Sequence, residues 1–132
     1  MAAGRYSFII DQGTTVDFRI EYRDSANQPI DLSNYESRMQ IRPTKESSTV
    51  ICTLSSSIAP DGTGLYMTPF SGSTQLPRSS GSIGIVISAA SSSIFNFTEA
   101  YYDLEIVSGS TPTTYVSRIL EGKIKLSKEV TR

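Results

Sequence analysis

Apolar and polar residues alternate along much of this chain with a period of two. In the stretch 16–23, every even-numbered residue is apolar or aromatic and every odd-numbered residue is charged. Successive side chains of a β-strand point to opposite faces, so this pattern predicts a strand with one buried face. The stretch 83–87 is apolar apart from Gly84 and predicts a strand buried on both faces. The same reasoning predicts the remaining strands over 6–10, 38–42, 49–54, 102–106, 115–120 and 123–126.

Turn-forming residues separate the predicted strands. Asp11-Gln12-Gly13 and Asp61-Gly62-Thr63-Gly64 are typical of tight turns, because glycine adopts positive φ without a steric penalty. The stretch 108–112 predicts a hairpin loop, and Glu121-Gly122 predicts a bend or bulge within one long strand. Eight or nine short strands at this spacing indicate an all-β fold, a single antiparallel β-sandwich with Ig-like or Greek-key connections. A partly closed barrel is the alternative, and we expect at most one short helix, within 89–95.

The length of 132 residues indicates one domain, 1–132, which is large enough to bury a core without a disulfide or a metal. The Ser/Gly/Pro-rich stretch 69–81 predicts a long surface loop of the kind that often carries a binding function. Other Ser/Thr clusters are interpreted as loops whose hydroxyls satisfy local backbone groups, with glycan contact as the alternative. The residues that we expect to be buried lie on the inward side of the predicted strands: Phe18, Ile20, Met39, Ile41, Ile85, Leu104 and Ile106.

The residue types that many enzymes need are missing from this sequence. The chain has no histidine, which removes Ser-His-Asp and Cys-His nucleophile systems, and it has no phosphate-binding glycine loop. We therefore predict no enzymatic activity, no catalytic residue and no cofactor. Asp103 and Glu105 share one face of a predicted strand and could form a carboxylate pair for acid–base chemistry. The competing interpretation is an exposed, solvated strand face.

The sequence also predicts no metal site. The turn Asp61-Gly62-Thr63-Gly64 carries one carboxylate and lacks the Asp-x-Asp pattern of a calcium-binding loop. The single cysteine, Cys52, lies beside Ile51 in an apolar strand, so we expect it to pack as a small hydrophobic residue rather than to react. Tyr101-Tyr102 begins a predicted strand, where a tyrosine hydroxyl can tie neighbouring backbone segments together.

Charge and hydropathy argue against nucleic-acid and membrane partners. The net charge is −1, and charged residues make up 19% of the chain, which does not indicate a field for nucleic acid. The apolar run Phe8-Ile9-Ile10 is far too short to span a membrane or to form a signal peptide, so we expect synthesis in a cytoplasm. The cluster of Lys123, Lys125 and Lys128 is interpreted as a solvated strand face, with phosphate contact as the alternative.

Two groups of residues are candidates for contacts with other proteins. Tyr66, Phe70, Phe95 and Phe97 flank predicted loops, where aromatic side chains can supply a large contact area. The alternative is that these rings close the open ends of the sandwich. At the C-terminus, Val130 and Arg132 follow the last predicted strand, and a guanidinium can bind a neighbour's carboxylate in bidentate fashion.

Four segments together resemble a known class of proteins: YSFIIDQGTTVDFRIEYRD, QPIDLSNYESRMQIRP, YYDLEIVSG and RILEGKIKLSKEVTR. Their order is similar to that of small β-sandwich virion proteins of tailed bacteriophages, in particular the N-terminal domain of upper baseplate proteins. The resemblance implies a non-enzymatic structural component of the particle, made in the host cytoplasm and located in the virion. It also implies that the partners are other virion proteins and further copies of the same chain, most naturally in the tail or baseplate.

Two other roles remain open at this point. One is a receptor- or glycan-binding module on the virion surface, in which the Ser/Thr-rich loops, Tyr66 and Phe70 would contact the host. Sugar-binding platforms often use tryptophan, and this chain has none. The other is a decoration protein of the neck or head.

Overall fold

The computed structural model describes residues 4–69, 75–108 and 115–128. Within these residues the chain forms a mainly-β structure of nine strands in two sheets with one short α-helix, consistent with a β-sandwich-like fold. The elements are β1 (Gly4–Arg5), β2 (Phe8–Asp11), β3 (Val16–Glu21), β4 (Tyr35–Arg42), β5 (Cys52–Ser55), β6 (Gly64–Tyr66), β7 (Ser82–Ile87), α1 (Ala89–Ser93), β8 (Glu99–Ser108) and β9 (Tyr115–Ser127).

The larger sheet has the strand order β1-β9-β8-β4-β5, and β2 also pairs with β9. Strands β4, β5, β8 and β9 pair antiparallel, whereas β1 and β2 run parallel to β9. The expectation of a purely antiparallel sandwich is therefore wrong for this sheet. The parallel ladder joins Gly4 to Leu120 and Asp11 to Ser127, and no short-range pattern can reveal a pairing between residues so far apart in the chain.

The smaller sheet is antiparallel, with the order β3-β7-β6. Strand β3 has the predicted alternation, since half-buried residues at 16, 18 and 20 alternate with exposed charged residues. Strand β7 is buried at all positions except Val86, which is half-buried, so the prediction of a strand covered on both faces is confirmed. Strand β6 was not predicted from the sequence, because its three residues, beginning with Gly64, are too few to show an alternation of apolar and polar positions.

Inward-facing residues from both sheets form the core. The predicted core residues Met39, Ile41, Ile85, Leu104 and Ile106 are buried, as expected. Phe18 and Ile20 are only half-buried and pack against the core, because β3 lies at an edge of the smaller sheet and its inward side is incompletely covered.

Strand β9 is one strand of 13 residues, as expected for a chain in which Glu121-Gly122 lies within one long strand, but the bulge is not at those residues. The irregularity lies earlier, at Ile119, because Leu104 faces Leu120 while Glu105 faces Arg118. Gly122 has a different role. A β-carbon there would lie 2.0 Å from the carbonyl oxygen of Tyr6, so glycine permits the N-terminal segment to approach β9 closely.

The predicted short helix is confirmed as α1, which begins after its N-cap residue Ser88. The Ser88 hydroxyl accepts a hydrogen bond from the Ser91 amide at 3.0 Å, which satisfies one of the free donors of the first turn.

The described part of the predicted 69–81 loop is held close to the domain. Its Arg78–Ser80 segment forms a 3₁₀ turn, and the Arg78 carbonyl accepts a hydrogen bond from the Leu32 amide at 2.9 Å. The Arg78 guanidinium also donates to the Tyr35 carbonyl. Residues 70–74, and those of the predicted 108–112 hairpin loop beyond Ser108, lie outside the described residues.

Candidate functional site

The outer face of the larger sheet carries rows of charged side chains. Met39 and Ile41 of β4 are buried in the core, so the alternate residues of that strand lie on the opposite face. Strands β8 and β9 add further charged residues in register with them. A shallow cleft of about 370 Å³ lies on this face, and its lining includes Arg42, Tyr101, Asp103, Glu105, Arg118 and Glu121.

The charges around this outer-face cleft are paired across the strands. Glu105 accepts a hydrogen bond from Nε of Arg38 at 2.8 Å. Arg118 lies 3.3 Å from the Asp103 carboxylate and also 3.3 Å from the Glu121 carboxylate. Two of these ion pairs join neighbouring strands and the third, between Arg118 and Glu121, lies within β9. Each adds modest stability at a partly solvated surface.

These ion pairs involve Asp103 and Glu105, the two carboxylates that the sequence suggests as candidates for acid–base chemistry. Burial raises the pKa of the Asp103 carboxyl above its ordinary value, while the neighbouring Arg118 opposes that rise and the Glu105 carboxylate adds to it. Glu105 and Asp103 each have an arginine partner from a neighbouring strand. This arrangement favours the interpretation of the two carboxylates as parts of a polar strand face.

The Asp61 turn is tied to the start of α1. The Asp61 carboxylate accepts hydrogen bonds from the hydroxyls of Ser88 and Ser91, each at 2.6 Å, and from the Thr63 amide at 3.0 Å. These hydroxyl donors, with the amide next, hold the pKa of the Asp61 carboxyl well below its usual range. The geometry makes Asp61 a link between the β5–β6 connection and the helix. Among the described residues, no group of three or more His, Cys, Asp or Glu side chains could hold a metal ion.

Cys52 begins the edge strand β5 and is partly buried. Burial, with a smaller contribution from the Asp61 charge, raises the pKa of its thiol to about 11. The thiol is therefore protonated near neutral pH and a poor nucleophile, in keeping with the packing role predicted for it.

Tyr102 forms a tie different from the local one suggested by the sequence. Its hydroxyl donates a 2.5 Å hydrogen bond to the Tyr6 carbonyl and so joins β8 to the N-terminal segment. Its ring packs against Phe8, which in turn contacts Phe18 of the other sheet with ring centroids 4.9 Å apart. Burial raises the pKa of the Tyr102 hydroxyl, and the Tyr6 hydroxyl adds to the rise.

The structure separates the aromatic residues predicted to contact partners. Phe95 is 4% exposed and belongs to the core, so its ring offers almost no surface to a partner. Phe97 is half-buried and packs on Phe95 with ring centroids 5.7 Å apart. Tyr66 is half-buried on β6 and donates a hydrogen bond to the Gly62 carbonyl at 2.7 Å. These placements favour the alternative in which the rings close the sandwich, while Phe70, Val130 and Arg132 lie outside the described residues.

The three C-terminal lysines do not converge on one point. Lys123 Nζ lies 5.6 Å from the Tyr101 ring centroid, and Lys125 faces Glu99 across the β8–β9 ladder. Lys128 donates a 2.8 Å hydrogen bond to the side-chain oxygen of Asn96. Separate partners favour the solvated strand face over a phosphate site.

The N-terminal edge strand is a surface that sequence reasoning missed. We call residues 4–11, which comprise β1, β2 and the two residues between them, the N-terminal edge. Ile9 is 66% exposed and Tyr6 is 48% exposed, whereas Ile10 is completely buried. The alternation pattern predicts a strand over 6–10, and the length of the run Phe8-Ile9-Ile10 excludes a membrane span, but neither observation indicates an exposed apolar edge. The sign that was available is that three successive apolar residues cannot all face inward in a strand.

Comparison with known proteins leaves the chain without an assigned family. No family model matches it, and no curated protein matches it. No helix in the described parts of the chain has the length and apolar character that a membrane crossing requires.

Proposed function

We propose that this chain is a non-enzymatic structural protein of a tailed-phage particle, most naturally a tail or baseplate component that makes subunit contacts. The segment order quoted above supports the phage assignment, and the two-sheet β structure is compatible with it. We further propose Ig-like or Greek-key connections, because the chain passes between the sheets at β2–β3, β3–β4, β5–β6 and β7–β8.

An assembly role is supported by the location of the unpaired hydrogen-bonding groups, which lie at the edges of the sheets. The carboxylates of the outer-face cleft and of the Asp61 turn are bound by their own neighbours. The two sheets are open in the described residues, with β1–β2 and β5 at the edges of one and β3 and β6 at the edges of the other. Open edges present backbone donors and acceptors to other chains, which is the mode of contact that repeated subunits use.

The test is to locate the protein in particles. Particles purified from cells that carry the gene are analysed by mass spectrometry and by immunogold labelling with an antibody against the chain. We expect stoichiometric recovery with the particles and labelling at the tail. An abundant host cytoplasmic protein serves as the contamination control. If the chain is recovered only in the soluble lysate with that control protein, the proposal is contradicted.

The outer-face cleft favours a second candidate function, a receptor- or glycan-binding module. Its lining mixes arginine donors with carboxylate acceptors around Tyr101, which suits a polyhydroxyl ligand better than a simple ion. The test compares binding of fluorescent protein to host cells for the unaltered chain and for Tyr101→Ala. Loss of binding in Tyr101→Ala, with retention in a control Ile94→Ala at an exposed residue that does not line the cleft, supports it. Absence of binding by the unaltered chain contradicts it.

A further inference from the structure

Among the residues that the structure describes, no strand pairs with one side of the N-terminal edge, and that side has regularly spaced backbone donors and acceptors. The amides of Tyr6 and Gln12 donate to the carbonyls of Glu121 and Ser127 in β9, at 3.0 and 2.9 Å. Because backbone groups alternate in direction along a strand, the amides and carbonyls of even-numbered residues in this segment point toward β9. Those of odd-numbered residues point away from β9, in the plane of the sheet. The amides and carbonyls of Arg5, Ser7 and Ile9 therefore line the free side. The Asp11 carbonyl accepts from the Thr14 amide within its own turn, which leaves the Asp11 amide available.

The other described edges carry features that oppose pairing. Strand β3 presents the alternating charges of Asp17, Arg19 and Glu21. Strand β6 is only three residues long, and β5 has the polar residues Thr53 and Ser55 between its apolar ones. Charges and short length are the usual means by which proteins protect sheet edges. The N-terminal edge instead has apolar residues through its middle and charges only at Arg5 and Asp11.

We propose that the N-terminal edge pairs antiparallel with the same edge of a second copy of this chain, around a two-fold axis that passes beside Phe8. In this register Arg5 lies opposite Asp11 of the second copy, and Ser7 lies opposite Ile9. The proposal rests on the assembly role above and names its partner. The two larger sheets then form one continuous sheet across the axis.

Charge complementarity selects this register. Antiparallel pairing of identical strands can be shifted by two residues while the same backbone groups still face each other. Either shift removes both Arg5–Asp11 pairs, and a shift toward the C-terminal end places Arg5 opposite Gly13. The proposed register also makes the two Ile9 side chains diagonal neighbours on the outer face, where each is 66% exposed in the isolated chain. Arg5 is free to reorient, because its ion pair with Glu121 is long, at 3.8 Å, and its side chain is 85% exposed.

The first test measures association of the full chain by sedimentation velocity over a range of concentrations. We expect a reversible dimer, and we expect Ile9→Lys to raise its dissociation constant by at least about tenfold, since a lysine at each Ile9 places like charges on diagonal neighbours. Val50→Lys is the matched control, because Val50 is 38% exposed and lies just before β5, which is at the opposite edge of the larger sheet. A chain that stays monomeric up to about 100 μM, a range that includes weak specific contacts, overturns the proposal. So does a dimer that Ile9→Lys leaves unchanged.

The second test addresses the register by mixing two charge variants. Alone, Arg5→Asp and Asp11→Arg each place like charges opposite each other at both ends of the dimer edge, so each variant should be monomeric. An equimolar mixture restores both opposite-charge pairs and should form a heterodimer. Circular dichroism melts of each variant check that the monomer is folded. Equal dimerisation of the separate variants and the mixture overturns the register. None of these results depends on particles, so a failure here is distinct from a failure to find the chain in virions.

Discussion

Strands β2 and β3 follow one another in the chain and lie at edges of different sheets, yet their exposed residues differ in kind. In β3 every outward side chain is charged, and the inward ones are half-buried. In β2 the outward Ile9 is apolar and exposed, and its neighbour Ile10 is fully buried. The short turn between them, 12–15, carries the chain from one sheet to the other.

The difference shows two ways in which an edge strand is held in place. Strand β3 pairs along its length with β7, from which it gains a regular ladder between Val16 and Glu21. The N-terminal edge also forms a ladder, parallel to β9, and is held by three further contacts: Ile10 in the core, the close approach to Gly122 and the hydroxyl of Tyr102. Each of these contacts can be removed singly, which allows their contributions to be ranked.

The largest expected effect comes from the buried residue of the N-terminal edge. Ile10→Ala should lower the free energy of unfolding by about 2–5 kcal/mol, because it leaves a cavity in the core. Ile9→Ala should change it by less than about 0.5 kcal/mol, because Ile9 is exposed in the monomer. Urea denaturation at concentrations where the chain is monomeric measures both. A larger effect of Ile9→Ala would mean that the strand faces are assigned the wrong way round, and equal effects would contradict the placement of Ile10 alone in the core.

The next effect tests the close approach of the N-terminal edge to β9. Gly122→Ala should lower the free energy of unfolding by about 1–3 kcal/mol, because its new methyl group displaces the Tyr6 backbone. Gly4→Ala is the matched control, since a β-carbon at Gly4 would lie 3.6 Å from its nearest neighbours, an ordinary contact. Chemical denaturation of both variants supplies the comparison. A neutral Gly122→Ala would show that the N-terminal edge is not seated against β9.

A smaller effect is expected from the tyrosine tie. Tyr102→Phe removes the hydroxyl that donates to the Tyr6 carbonyl and should lower the free energy of unfolding by about 0.5–1.5 kcal/mol. Hydrogen exchange at the amides of the N-terminal edge should accelerate in this variant more than exchange in β3 does. Tyr101→Phe, on the outer face of the same strand, should leave both measurements nearly unchanged. Uniform acceleration in both strands would argue against a local tie.

Local pattern predicted the parts of the fold that depend on neighbouring residues. The alternation identified β3 and β7, and the expected helix at 89–95 is present as α1 at Ala89–Ser93. Periodicity did not reveal the parallel ladder between the N-terminal edge and β9, because that pairing depends on contacts across more than a hundred residues. The sequence also predicted the bulge of β9 at Glu121-Gly122, whereas it lies at Ile119. A glycine that permits the close approach of another segment cannot be distinguished in sequence from one that permits a bend.

The candidate site was predictable only in part. Asp103 and Glu105 were correctly placed on one strand face, but their partners Arg118 and Arg38 come from the two flanking strands, and only the sheet order identifies them. The aromatic residues near loops could not be divided into core and surface by type alone. Phe95 follows α1 and is buried in the core. Its burial depends on how the helix packs on the sheets, which the local sequence pattern does not predict.

The smallest expected effect extends the comparison to two carboxylates whose surroundings shift their pKa values in opposite directions. The folded-state pKa of Asp61 lies below its unfolded value, so its contribution to stability is complete above about pH 4 and is lost as pH falls through the folded pKa. The folded-state pKa of Asp103 lies above its unfolded value, so its ionisation opposes folding, and acidification through that pKa relieves the penalty. Urea denaturation across a pH series should therefore show the stability advantage of the unaltered chain over Asp61→Asn shrinking in acid. Its advantage over Asp103→Asn should grow over the same range, and two differences that move in the same direction would contradict the assignment of burial as the dominant influence on Asp103.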